Sequence, residues 1–220
     1  DTSTVRRAGL ATPAVPTVAN TGSGSYAATV RYYKVAWAVT GAGINNRRSE
    51  TSTAVSFTPS GSGTAARVTQ PTVADEGETH WLVYGSADNT IFKLIATVAI
   101  ATTTYDDSTA PASYSGASPS LAGEHTVPVS GKYLLAAGNR LLMAVSYESV
   151  NFNSRVWFTA LLGDMDVGDD ERIPNTTARK NWVDLDENDG GFITGLGGPL
   201  DGSPWAFKYR QVWQLVPTGD

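Results

Sequence analysis

The residues of this chain whose type and spacing could do chemistry are first of all carboxylates. Asp164, Asp166, Asp169, Asp170 and Glu171 form one cluster, and Asp184, Asp186, Glu187 and Asp189 form a second. Carboxylates grouped in this way bind calcium through hard oxygen ligands or perform acid–base work. The run DLDEND opens like a calcium loop, which makes Asp184, Asp186 and Asp189 the metal candidates. The pattern then fails. The sixth position holds Asp189 where the loop needs Gly, and the twelfth holds Gly195 where it needs a bidentate Glu. A solvated or partner-facing loop is the simpler reading, because Asp189-Gly190-Gly191 also makes a good turn ahead of Phe192 and Ile193. No cofactor is expected.

The other chemical signals are weaker. Cys is absent, which removes disulfides, thiolate zinc sites and Cys nucleophiles. The two His, His80 and His125, are too few for a His-rich metal site. Ser is plentiful, so a Ser-His-Asp triad is formally open, but no G-x-S-x-G elbow occurs. Gly22-Ser23-Gly24 and Gly61-Ser62-Gly63 do not continue to Gly-Lys-Ser/Thr and read as hairpin turns rather than phosphate loops. Tyr32, Trp37, Tyr147, Trp157 and Trp205 are candidates for a sugar-stacking platform. Trp37 and Trp157 alternate in phase with aliphatic neighbours, as core residues do. Trp205, after Pro204 in a Gly-Ser turn, is the least committed to a core. No catalytic residue is assigned, and the chain is expected not to be an enzyme.

The elements that must position these residues are strands. Hydrophobic residues make up 41 % of the chain and charged residues 17 %, with 22 Gly, which suits short strands joined by many turns around a real core. From Tyr26 to Thr40 the pattern has period two. Arg31, Tyr33, Val35, Trp37 and Val39 fall on one face, and Tyr32, Lys34, Ala36 and Ala38 on the other. Further strands are expected at Ser52–Thr58, Ala65–Gln70, Trp81–Ser86, Phe92–Val98 and Thr102–Tyr105. That rhythm of roughly ten residues is the rhythm of an antiparallel sandwich. Residues 107–131 are rich in Ser, Ala, Pro and Gly and read as a linker. Strands resume at Tyr133–Ala136, Arg140–Tyr147, Ser154–Leu161, Gly191–Gly195 and Trp205–Val216, the last breaking at Tyr209-Arg210 into a hairpin or bend. Between Asp164 and Asp189 lies a long acidic loop.

The net charge of −5, without a basic block, offers no electrostatic footprint for nucleic acid. No apolar run approaches the roughly 20 residues of a membrane helix, so no membrane insertion is expected.

Two resemblances carry the sequence further. The aromatic strand YYKVAWAV, the turn GAGINNRRSETS, the pair WLVYGSADNTIFKLIATV and the closing TTTYDDST resemble a fibronectin type III-like domain. The segments GKYLLAAGNRLLMAVSY, SRVWFTALLGD and WVDLDENDGGFITGLGGPLDGSPWAFKYRQVWQLV resemble β-propeller blades found in structural proteins of tailed bacteriophages. The leading VRRAGLATP looks like the lead-in such proteins use before an inserted sandwich. These resemblances imply an all-β chain. Residues 1–11 would be an extended lead-in, 12–110 a fibronectin type III-like sandwich, 111–130 a linker and 131–220 a blade-like region. They also imply a virion tail protein at a nozzle, adaptor or tail-wall position, assembled in the bacterial cytoplasm. Its partners would be copies of itself and neighbouring tail subunits. A glycan-binding adhesin or tail-tip receptor binder, contacting a host surface glycan, is the alternative. A blade has about 40–50 residues and a ring needs about four blades or more, so the second half holds about two blades' worth and cannot close a ring. With Asp1 rather than Met at its start, the chain is expected to be an excerpt, or one contributor to a larger assembly.

Overall fold

The computed structural model describes residues 9–22, 29–41, 47–60, 65–120, 122–125, 131–146, 152–159, 181–186 and 191–216. The protein is all-β, with several antiparallel sheets, none of them closed among the described residues. It divides into two compact units, Asp1–His125 and Thr126–Asp220.

The first unit is built around β2 (Arg31–Val39), whose odd residues point into the main core and whose even residues point to the opposite face. On one side β2 pairs with β6 (His80–Ser86), which pairs in turn with β7 (Lys93–Ala99). Trp37 lies directly opposite Trp81, and both are buried. On the other side β3 (Arg47–Arg48) and β4 (Val55–Phe57) follow one another along β2. The chain between them leaves the ladder, and two serines repair it. The Trp37 amide donates to Ser49 Oγ at 2.9 Å, and the Val35 amide donates to Ser52 Oγ at 3.0 Å. Hydroxyls so placed replace carbonyl acceptors that a regular strand would supply.

A smaller sheet of β1 (Thr17–Thr21), β5 (Ala65–Thr69) and β8 (Thr104–Asp107) contributes Val18, Ala66, Val68 and Tyr105 to the same core. The inner faces of the two sheets thus meet, as in a sandwich. The outer face of the smaller sheet is polar, with Arg67 and Asp106 joined by a two-pronged fork at 2.7 Å.

The Ser/Ala/Pro/Gly segment read from composition as a linker is docked on this unit. After one 3₁₀ turn at Pro111–Ser113, the Leu94 amide donates to the Ala117 carbonyl at 2.8 Å, so the segment adds itself to the β7 edge. It then passes Ser120 and ends at His125, whose amide donates to Glu50 Oε1 at 2.6 Å. Small residues make this approach feasible. A Cβ on Gly116 would fall 1.9 Å from the Leu94 carbonyl oxygen, and one on Gly85 would fall 2.6 Å from the Tyr114 ring.

In the second unit β9 (Gly131–Ala137) and β10 (Arg140–Ser146) form a hairpin through Gly138-Asn139, both at positive φ, as a two-residue type I′ turn requires. β11 (Arg155–Phe158) and β12 (Trp182–Asp184) complete a four-stranded sheet, so the stretch from Asp164 to Asp189 expected as one long acidic loop contains a strand. β13 (Ile193–Leu200), β14 (Ser203–Lys208) and β15 (Val212–Gln214) form a three-stranded sheet. The turn Asp201-Gly202 joins the first two strands, again with both residues at positive φ. A bend at Tyr209-Arg210 joins the last two, where the sequence suggests a hairpin break. Leu142, Ala144 and Val156 of the larger sheet pack on Ile193 and Ala206 of the smaller to form the core.

Candidate functional site

Asp184, a calcium candidate, extends from the edge strand β12 opposite Arg155 of β11. Both of its oxygens are engaged: Arg155 Nε donates to Oδ1 at 2.5 Å and a terminal guanidinium nitrogen to Oδ2 at 2.6 Å. The guanidinium also lies over three rings, 4.0 Å from Phe152, 4.8 Å from Trp182 and 5.9 Å from Trp157. Arg holds such a site because a planar cation stacks on rings and forks to a carboxylate at once. Asp186, the second candidate, follows at φ 43°, and its carbonyl accepts from the buried Lys208 Nζ at 2.8 Å. Lys208 also donates to the Leu185 carbonyl at 2.7 Å, so it ties β14 to the end of β12. Asp189, the third candidate, Glu187 and the whole cluster Asp164–Glu171 lie outside the described residues. Among the described residues no group of three or more His, Cys, Asp or Glu is arranged to hold a metal ion.

His80, at the start of β6, has its Nδ1 2.9 Å from Thr79 Oγ1 and 3.0 Å from Thr40 Oγ1. His125 is buried, with Nε2 2.8 Å from Ser120 Oγ. This is a serine–histidine contact of the kind a hydrolase uses. The neighbouring carboxylate of Glu50, however, accepts from the His125 backbone amide, so it braces the chain. The enclosed space between Ala36, Tyr84, Glu50 and His125 is about 10 Å³, the threshold for a single water. Burial beside this face raises the Tyr84 phenol above its usual range.

A second polar centre closes one end of the first core. Asp107 and Arg31 are both fully buried, with 3.6 Å between Oδ2 and a guanidinium nitrogen. The Tyr33 hydroxyl donates to Oδ2 at 2.7 Å, the Tyr114 hydroxyl donates to the same oxygen, and the Thr109 amide donates to Oδ1 at 2.9 Å. Burial, reinforced by the Asp107 charge, pushes both phenols well above the ordinary tyrosine range. Sequence reasoning did not single out Asp107 or Tyr114. The only signal was the closing TTTYDDST, where one of two adjacent aspartates must face inward from a strand.

Of the aromatic residues weighed as a sugar platform, Trp37 and Trp157 are buried, Tyr32 is half-buried, Tyr147 lies outside the described residues and Trp205 is half-exposed. Trp205 belongs to a face the sequence did not delimit. On β14 it alternates outward with Phe207, opposite Gln214 and Val212 of β15 and Gly197 and Gly195 of β13. Phe207 covers the two glycines, as aromatic residues do across a strand pair.

Among the described residues no helix is long and apolar enough to cross a membrane. No family model, no curated protein and no solved structure matches the chain.

Proposed function

We propose that this chain is a structural component of a tailed phage particle, working by protein–protein assembly at a nozzle, adaptor or tail-wall position. Its first unit would be a fibronectin type III-like sandwich and its second a pair of propeller-like blades. The observation that carries the reading is the second unit's pair of sheets, which end at β12 and β15 with no further strand paired beyond them among the described residues. The blade-like sequence segments supply the link to phage structural proteins. GKYLLAAGNRLLMAVSY runs through the β9–β10 hairpin, SRVWF through β11, and FKYRQVWQL through the β14–β15 hairpin. In this reading Arg155, Lys208 and the buried aromatics stiffen the blades, and symmetry multiplies each weak contact. The glycan-binding alternative would rest on Trp205 and its neighbours in β14.

A cryo-EM map of the phage particle encoding this sequence tests the proposal. Neighbouring density against the open sheet edges or faces of the second unit is the expected result. A particle that lacks the chain, or a chain standing with no neighbour on any sheet, would refute it.

A further inference from the structure

We propose that the segment following β8 is a two-stage strap, anchored at Tyr114 and released at His125 while the sandwich stays folded. Both ends are fastened by a donor to a carboxylate, and solvation separates them. At the anchor the Tyr114 hydroxyl donates to Asp107, whose side chain is fully buried. Withdrawing it leaves a buried charge short of a donor that water cannot replace. It also empties the space beside Gly85, where a Cβ would fall 2.6 Å from the Tyr114 ring. Gly116 and Ala117 continue the anchor along β7, where the Leu94 amide donates to the Ala117 carbonyl at 2.8 Å.

Beyond Ala117 the hold loosens. Ser118, Ser120 and Ala122 are exposed, and the Lys93 ammonium reaches Ser118 Oγ at 3.2 Å on the solvent side. Such a bond exchanges for water at little cost. Of the described residues from Pro111 to His125, only His125 is buried, seated beside Ala36, Tyr84 and Glu50. Its amide donates to Glu50 Oε1 at 2.6 Å, but Glu50 is half-buried, so water takes the place of that donor when the strap lifts. Its ring meets Ser120 Oγ at 2.8 Å, a partner on the strap that moves with it. Segments with little buried surface open while the core stays shut. His125 is also the last residue of the first unit. Release from Ser118 to His125 therefore adds up to about 27 Å of extended chain to the connection with the second unit. The strap sets the length of that connection, short when His125 is seated and long when it is not. A longer connection widens the range of distances at which the two units can hold separate neighbours.

Native-state hydrogen exchange on the full chain, in low urea, tests this. Relative to its intrinsic rate, the His125 amide is expected to exchange at least about tenfold faster than the Leu94 amide and without dependence on urea, while Leu94 follows the Trp37 amide of β2. Glu50→Gln, which keeps the shape and one acceptor oxygen but loses the charge, is expected to speed His125 exchange by about tenfold, with the Leu94 rate and the melting temperature unchanged. The chain has no cysteine, so spin labels on Thr53→Cys and Ala122→Cys, both exposed positions, read the strap directly. Glu50→Gln is expected to enlarge a longer-distance population of that pair. His125 and Leu94 amides exchanging at one rate make the segment a single unit and overturn the proposal. So does a His125 amide that exchanges only with global unfolding. A Glu50→Gln chain with unchanged spin-label distances, or one whose Leu94 rate and melting temperature shift along with His125, overturns it too.

Discussion

Asp107→Asn is expected to destabilise the first unit by about 3–5 kcal/mol, the cost of breaking a buried ion pair by removing one partner. The magnitude follows from burial. Arg31 and Asp107 are both fully buried with 3.6 Å between their charged atoms, so the guanidinium loses this carboxylate without gaining water. Hydrogen bonding adds to the loss. Oδ2 accepts from the Tyr33 and Tyr114 hydroxyls and Oδ1 from the Thr109 amide. An amide keeps one acceptor oxygen and turns donors toward at least one of these donors. For a unit of this size the melting temperature is expected to fall by about 10–20 °C. The assay is thermal and urea unfolding of the full chain, followed by near-ultraviolet circular dichroism. Arg31→Met supplies the second arm. Added to Asp107→Asn it removes the buried guanidinium that faced the carboxylate, so the double variant is expected to be more stable than Asp107→Asn alone. Two results would refute the reasoning. One is an Asp107→Asn chain melting within about 3 °C of wild type. The other is a double variant whose losses add to within about 0.5 kcal/mol, as they do for independent sites.

Three further outcomes are expected. Gly116→Ala places a methyl group 1.9 Å from the Leu94 carbonyl oxygen, so segment 117–125 must lift and the Leu94 amide must lose protection in hydrogen exchange. The stability loss is expected to be about 1–3 kcal/mol, as for other overpacked sites, and an unchanged Leu94 exchange rate would contradict it. In an alkaline absorbance titration Tyr33 and Tyr114, whose pKa values are raised by burial and by the Asp107 charge, are expected to stay protonated while exposed tyrosines ionise. Because the folded values lie above the unfolded value of about 10, the stability this contributes is complete below that pH and is lost as pH rises past it. All nine tyrosines ionising together in one step near pH 10, before unfolding, would count against the buried centre. Arg155→Lys is expected to cost about 1–3 kcal/mol by replacing a forked, ring-stacked guanidinium with a point charge, measured as the melting shift of the second unit.

Strands were legible where bulky side chains alternate. The period-two pattern from Arg31 to Val39 assigns both faces of β2, because Val, Trp and Tyr declare which side they bury. The fork between Arg155 and Asp184 was not legible, because it depends on β12, a three-residue strand beyond a long acidic stretch. Small residues misled in the segment after β8. Gly, Ala and Ser read as linker because they bury little apolar surface, yet lack of bulk is also what lets one backbone lie close to another. Gly116 against Leu94 and Gly85 against Tyr114 are contacts of that second kind, and composition cannot separate the two. The same ambiguity hid the open face of β14. Asp201-Gly202 is a strong hairpin signal, and with it the strand pair around Gly195 and Gly197 follows. Glycines in that strand have no side chain to mark a face, so only Phe207, lying across them, reveals that the surface there is flat and apolar.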